Sequence, residues 1–208
     1  MYKNFFKRLI DFVLALFGII LLAVPMLILV ICIKVDSKGP VLFKQKRVGK
    51  NKTHFNILKF RTMYADTPKD VPTHLLVDPD KYITRVGKFL RKTSLDELPQ
   101  IFNILLGSMS IVGPRPALWN QFDLIALRDQ NSANDVRPGL TGLAQISGRD
   151  ELELEEKARL DGEYVSKLSF AMDLKCFFGT FTSVLFKKGV VEGGTGAMKK
   201  ENGENKAE

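Results

Sequence analysis

The chain has 208 residues, with 31 Lys and Arg against 23 Asp and Glu, a formal net charge of +8, and 45% apolar residues. That composition excludes a wholly disordered chain. Two cysteines, Cys32 and Cys176, are too few for a disulfide framework, and two histidines, His54 and His74, exclude a His-rich metal cage, which argues against zinc.

An uncharged run fills residues 12–33, FVLALFGIILLAVPMLILVICI. As a helix these 22 residues measure about 33 Å, against a bilayer core of about 30 Å. A signal peptide is disfavoured by the length of the run and the lack of an A-x-A site. A buried core helix is rarely apolar on all faces in so small a domain. Pro25 splits the run into arms of 13 and 9 residues and removes one backbone hydrogen bond. Lys3, Lys7 and Arg8 precede it, and Lys34, Lys38, Lys44, Lys46, Arg47, Lys50 and Lys52 follow. Positive flanks favour the cytoplasm and anionic lipid. A spanning helix exports one positive flank and a re-entrant hairpin exports neither, so the residues leave both open.

Beyond Gly39 and Pro40, residues 41–46 and 53–60 read as two short strands around a turn at Gly49, Lys50 and Asn51. Residues 65–80, with three prolines and four aspartates, read as a loop. The spacing predicts helices over 82–92 and 95–106, the second stopped by Gly107. The stretch 111–116, IVGPRP, cannot continue a helix, and 118–131 is helical again. Residues 137–149 (RPGLTGLAQISGR) read as a glycine-punctuated loop, strand and loop, and 151–168 as a charged helix. Residues 170–186 carry five phenylalanines with basic ends at Lys175, Lys187 and Lys188, either a core helix or one lying in a membrane interface. The Gly, Lys and Glu-rich tail 189–208 reads as disordered.

Arg91, Lys92, Thr93, Ser94, Leu95, Asp96 and Glu97 run together. Ser94 and Glu97 have the spacing of a capping box. A helix start also favours negative charge and binds phosphate. There Asp96 is expected to stay ionised, with a depressed pKa beside Arg91, as a carboxylate nucleophile requires. Arg115, stiffened between Pro114 and Pro116, suits bidentate phosphate binding or a structural turn. Arg137 and Arg149 bracket Gly139, Gly142 and Gly148, where backbone can approach a ligand. Lys59 and Arg61 alternate with Phe60 on a predicted strand and are either solvated or membrane-facing side chains or substrate contacts. Asp78 and Asp80 form the short D-x-D pattern of metal-dependent glycosyltransferases. Nothing matches a nucleic-acid module, so the positive charge is assigned to lipid and phosphate.

The ordered set KRLIDFVLAL (7–16), GPVLFKQKRVG (39–49), FNILKFRTM (55–63), RKTSLDELPQIFNILLGSMSIVGPRP (91–116) and RPGLTGLAQISGRD (137–150) resembles the bacterial sugar transferases. These are the monotopic phosphoglycosyl transferases that begin polyprenyl-linked glycan assembly. The resemblance covers residues 3–188 and implies a minimal member of the capsule and exopolysaccharide type. It implies an α+β, mainly helical fold: a re-entrant membrane helix over 1–34, broken at Pro25, then a cytoplasmic, membrane-associated catalytic domain over 35–188 with short strands and interfacial helices. The expected location is the inner membrane of a bacterium, facing the cytoplasm. The implied reaction moves a sugar-1-phosphate from a UDP-sugar to polyprenyl (undecaprenyl) phosphate and releases UMP. Asp96 is implied as nucleophile through an aspartyl-phosphosugar, and Glu97 with Asp96 as the Mg²⁺ site. Arg91 and Arg115 are implied phosphate contacts, and Arg137, Gln145 and Arg149 match a segment expected to contact substrate. Downstream glycosyltransferases are expected partners. Relatives often carry Ser before the proline where this chain has Val24, which offers no hydroxyl to a carbonyl freed by a kink. Two other readings remain: a metal-dependent glycosyltransferase using Asp78 and Asp80, and a non-catalytic membrane-anchored scaffold.

Overall fold

The computed structural model describes residues 1–67, 79–148 and 151–185. It is mainly helical with four short strands among the described residues. The expected tail lies outside these residues, as does most of the expected loop over 65–80.

Helix α1 (Lys7–Asp36) contains the whole uncharged run and remains helical on both sides of Pro25. By length and composition it is apolar enough to cross a membrane. Phe17, Ile20, Leu21, Val24, Leu27, Ile28 and Ile31 are exposed along it. Both its ends are bound to the rest of the chain. At the start, Lys7 pairs with Asp173 at 2.6 Å, and Arg8 donates to the carbonyls of Ile104 and Leu105, each at 2.6 Å. The carboxylate of Asp11 accepts from the Ile111 N–H at 3.0 Å. At the far end, the Asp36 carboxylate accepts from the Val86 N–H at 3.1 Å, and buried Ile33 packs with Phe60 and Leu90.

The two predicted strands form an antiparallel hairpin, β1 (Leu42–Val48) and β2 (His54–Phe60), in register from Leu42 opposite Phe60 to Val48 opposite His54. Asn51 and Lys52 turn the chain with φ of 53° and 58°. Helix α2 (Arg85–Thr93) starts where the Thr84 hydroxyl accepts from the Gly87 N–H at 2.9 Å. Gly87 is required there, because a Cβ would sit 2.0 Å from the Thr62 carbonyl oxygen.

The helix expected over 95–106 divides in two. Residues Leu95–Glu97 form a tight 3-10 turn, and α3 runs only over Gln100–Leu106. Pro99 has no N–H to donate, so i→i+3 bonds from Ile101 to Leu98 and from Phe102 to Pro99 carry the chain through it. The expected capping box is absent. Ser94 lies in the left-handed region at φ 57° as the C-cap of α2 and makes no side-chain cap. Asn103 joins α3 to the outer edge of β2, accepting from the Leu58 N–H and donating to the Asn56 carbonyl, each at 2.9 Å.

Strand β3 (Ser110–Val112) pairs in parallel with β4 (Gly139–Thr141). Between them the helix predicted over 118–131 shortens to α4 (Phe122–Asp129). After β4 the expected loop is instead a short helix, α5 (Leu143–Ser147). The GLTGL pattern hides it, because five residues give too little periodicity. Helix α6 (Leu154–Ser166) and α7 (Phe170–Leu185) complete the described chain. Helix α7 buries Asp173, Cys176 and Ser183 while exposing Phe170, Phe178 and Phe181, an inverted amphipathicity suited to an apolar interface.

Apolar contacts join these parts. Ala15 of α1 packs with Ile57, Ile104 and Met109, and Val112 packs with Leu143, Leu160, Tyr164 and Cys176. The buried pair Arg128 and Asp161, 2.6 Å apart, connects α4 to α6.

Candidate active site

Directly opposed residues of an antiparallel pair share a face. Lys59 lies opposite Phe43 and Ile57 opposite Gln45, so Lys59, Gln45 and Arg47 share one face of the hairpin with buried Ile57. That face meets the 3-10 turn bearing Asp96 and Glu97. Lys59 Nζ lies 2.7 Å from Glu97 Oε1 and 3.6 Å from Asp96 Oδ2.

Arg115 approaches from another direction. Its Nη2 is 2.8 Å from the same Glu97 oxygen. The loop that carries it is fixed by backbone: Gly113 donates to the Thr141 carbonyl and Gly139 to the Pro114 carbonyl, each at 2.8 Å. A Cβ on Gly139 would fall 2.1 Å from the Gly113 nitrogen, and one on Gly142 would fall 2.2 Å from the Gly113 oxygen. These glycines are needed for close approach of two backbones. Arg91, at the end of α2, donates from Nε to the Thr62 hydroxyl at 2.9 Å and faces Asp96 electrostatically.

The two carboxyls differ in character. Burial pushes Asp96 up, and the attraction of Lys59 and Arg91 does not reverse it. This corrects the expected depression: the residue sits in a partly closed turn rather than at an open α-helix start. Burial also acts upward on Glu97, but Arg115 and Lys59 outweigh it and hold the carboxylate well below its ordinary range. A fixed anion therefore sits next to a carboxyl that pays a desolvation cost when charged.

Sequence reasoning missed Arg47 by assigning the basic run 44–47 to lipid. It is largely enclosed, donates from Nη1 to the Pro116 carbonyl at 2.9 Å and from Nη2 to Gln45 Oε1 at 2.6 Å, and braces the Arg115 loop. Burial and the neighbouring Arg115 lower its pKa to about 10, against the attraction of Glu97. The available signal was strand alternation, which sets Gln45 and Arg47 on one face and Lys44 and Lys46 on the other.

Other expected contacts lie elsewhere. Arg61 is buried and donates to the carbonyls of Lys38 and Ser37 at 2.8 and 2.7 Å, so it clamps the exit of α1 instead of facing a substrate. Arg137 donates to the Gly107 carbonyl at 2.8 Å, at the opposite end of α3 from Glu97 and about 10 Å of helix away. Gln145 is buried against Gly142, and its side-chain amide has no hydrogen-bond partner among the described residues. Arg149 and Asp78 lie outside the described residues, and Asp80 falls in the turn Pro79–Lys81. Among the described residues, no group of three or more His, Cys, Asp or Glu converges.

The assembled cluster presents a carboxyl pair ringed by Lys59, Arg91, Arg115 and Arg47. Such an arrangement suits polyanionic phosphate esters, with a carboxylate poised to attack or to help hold a cation.

Residues 2–187 match the bacterial sugar transferase family. The chain is 38% identical over 192 residues to the undecaprenyl-phosphate glucose phosphotransferase of Komagataeibacter xylinus, covering 88% of this chain and 36% of that protein. It is 39% identical over 193 residues to the exopolysaccharide production protein PSS of Rhizobium leguminosarum bv. phaseoli, covering 86% and 94%. It is 40% identical over 182 residues to the UDP-glucose:undecaprenyl-phosphate glucose-1-phosphate transferase of Klebsiella pneumoniae, covering 84% and 39%. The chain thus spans well under half of the first and third relatives and nearly all of the second.

Proposed function

The chain belongs to the bacterial sugar transferase family, a family of phosphoglycosyl transferases, and from that premise we propose that it transfers a sugar-1-phosphate from a UDP-sugar to undecaprenyl phosphate, starting an exopolysaccharide or capsule glycan. The observation that carries this reading is the carboxyl pair Asp96 and Glu97 held within one cationic ring.

In the proposed mechanism, an Asp96 carboxylate oxygen attacks the sugar-linked phosphorus. The bond from that phosphorus to the bridging oxygen breaks, and UMP leaves with the oxygen and the electron pair. A phosphate oxygen of undecaprenyl phosphate then attacks the same phosphorus and displaces Asp96 as a free carboxylate. Lys59 faces Asp96 and favours its ionised form against burial. Arg115 and Arg91 are placed to grip the diphosphate oxygens, and Glu97 keeps both Lys59 and Arg115 in position. Two adjacent carboxylates are a fitting donor set for Mg²⁺, which commonly binds one or two carboxylates together with substrate phosphates. Asp96 and Glu97 would hold it, and when bound it neutralises charge on the diphosphate.

The same reading makes α1 re-entrant, with the domain on the cytoplasmic side of the inner membrane. A straight helix of 30 residues is about 45 Å long, and a spanning one puts its ends on opposite sides of a core about 30 Å thick. Here Lys7, Arg8 and Asp11 at one end and Ile33 and Asp36 at the other all contact the same domain. That supports entry and exit on one face, with Pro25 near the apex.

The test is intact-protein mass after incubation with Mg²⁺ and a panel of UDP-sugars, without lipid acceptor. A sugar-phosphate adduct on the native chain, absent from Asp96→Asn, with UMP released, is the expected result. Release of UDP, with Asp96→Asn unimpaired, would overturn it in favour of the Asp78 and Asp80 glycosyltransferase.

A further inference from the structure

At the other end of α3, away from the carboxyl pair, a cavity of about 220 Å³ opens among the start of α1, the hairpin turn and the segment before β4. Lys3, Lys7, Arg8, Lys50 and Arg137 supply its cations, and Asp11 and Asp135 its carboxylates. Asp173 neutralises Lys7, so five positive charges face three negative ones and the cavity keeps a net charge of about +2.

Its interior cations are fixed in place. Arg8 is held by the carbonyls of Ile104 and Leu105, Lys7 by Asp173, and Arg137 through Nε by the Gly107 carbonyl. Those bonds use one edge of the Arg137 guanidinium and leave its terminal nitrogens without a hydrogen bond among the described residues. Lys3 and Lys50 are exposed and make no ion pair among the described residues. A charged wall ordered before a ligand arrives loses less side-chain freedom on binding.

The surroundings point to lipid. Leu168 lines the cavity, and Phe5, Phe6 and Phe170 are exposed around the same end of the molecule. The apolar run of α1 begins one turn beyond Arg8. The cavity therefore lies where a membrane-bound chain meets headgroups.

We propose that this cavity is a second, non-catalytic anion site that takes the phosphate ester of an anionic phospholipid headgroup. Arg137 and Arg8 form its floor, and Lys3 and Lys50 its rim. It rests on the cavity and on the membrane placement of α1 proposed above, and it stands whether or not Asp96 forms a covalent intermediate. A free phosphate shares the chemistry, so the test separates the two sources.

The full chain in neutral detergent is titrated with short-chain phosphatidylglycerol, with short-chain phosphatidylcholine and with inorganic phosphate, and heats of binding are recorded. The variants are Lys3→Gln with Lys50→Gln and, as a charge-matched control on α2, Lys88→Gln with Lys92→Gln. The expected result is saturable phosphatidylglycerol binding, unchanged in the control pair. In the rim pair it weakens about tenfold to thirtyfold, at roughly fivefold for each lysine near a lipid surface. Phosphatidylcholine should bind far more weakly. Inorganic phosphate binding as tightly as the lipid, with the same rim dependence, would overturn the lipid source and leave a free-phosphate site. Equal loss in both pairs, or no saturable binding by any probe, would overturn the site itself.

Discussion

Asp173 bonds the start of the apolar helix α1 to the domain, and its removal gives a strong test of that arrangement. Its carboxylate accepts from Lys7 Nζ at 2.6 Å, Tyr2 OH at 2.5 Å and Tyr164 OH at 2.7 Å. The Lys7 and Asp173 side chains are each only 11% exposed, so the pair is largely withdrawn from water. Burial, with Asp173 adding to it, raises both tyrosines above their ordinary range, so they remain hydroxyl donors at any working pH. Asp173→Asn preserves the shape but strands the Lys7 ammonium. Removing one partner of such a pair costs about 3–5 kcal/mol, and Asn, which still accepts one bond, belongs near 3. At roughly 2–4 °C per kcal/mol for a chain of this size, the unfolding midpoint in detergent should fall by about 6–12 °C. Lys7→Met in the Asp173→Asn background should recover part of the loss, because it removes the stranded charge. A midpoint within about 2 °C of the native chain, or strictly additive single and double variants, would refute the reasoning.

Burial raises the pKa of Asp96, and in the proposed reaction it must be ionised to attack, so kcat/KM for UMP release should climb with pH along an acid limb displaced upward from that of a free aspartate. Lys59→Met removes the cation facing it, and the acid limb should move to higher pH; a uniform fall at every pH with no movement of the limb would count against that role. Gly142→Ala drives a Cβ to 2.2 Å from the Gly113 carbonyl oxygen and should cost about 1–3 kcal/mol in thermal unfolding while lowering kcat through displacement of Arg115. Chelation with EDTA should abolish UMP release, with recovery on excess Mg²⁺ and little change in far-ultraviolet circular dichroism.

How far the sequence could be read depended on which forces decide each feature. The long apolar helix and the hairpin were legible because both are set locally: an uncharged run in one case, turn residues between alternating strands in the other. The ring around Asp96 was legible in part, since Lys59, Arg91 and Arg115 sit in recognisable segments that the fold brings together. Arg61 misled for a reason of distance in space. Only the folded chain brings the Ser37 and Lys38 carbonyls to the end of β2, and there they take its guanidinium. Arg47 was missed because its neighbours in sequence are exposed lysines, and only strand pairing separates it from them. The Ser94 and Glu97 spacing matched a capping box, but Lys59 and Arg115 outcompete a neutral cap for the Glu97 carboxylate.

That last competition also explains the division of labour in the pair. Glu97 is satisfied by two cations and stays ionised, so it can order Lys59 and Arg115 before any substrate arrives. Asp96 shares Lys59 only at 3.6 Å and pays for burial, so it remains the less stabilised anion. That suits the nucleophilic role proposed for Asp96, since a nucleophile is useful when its charge is poorly compensated and its neighbours are already fixed. The break of the helix at Pro99 makes this possible. It holds the two carboxyls in a tight turn at the edge of β2, with Lys59 of the hairpin 2.7 Å from Glu97 and 3.6 Å from Asp96.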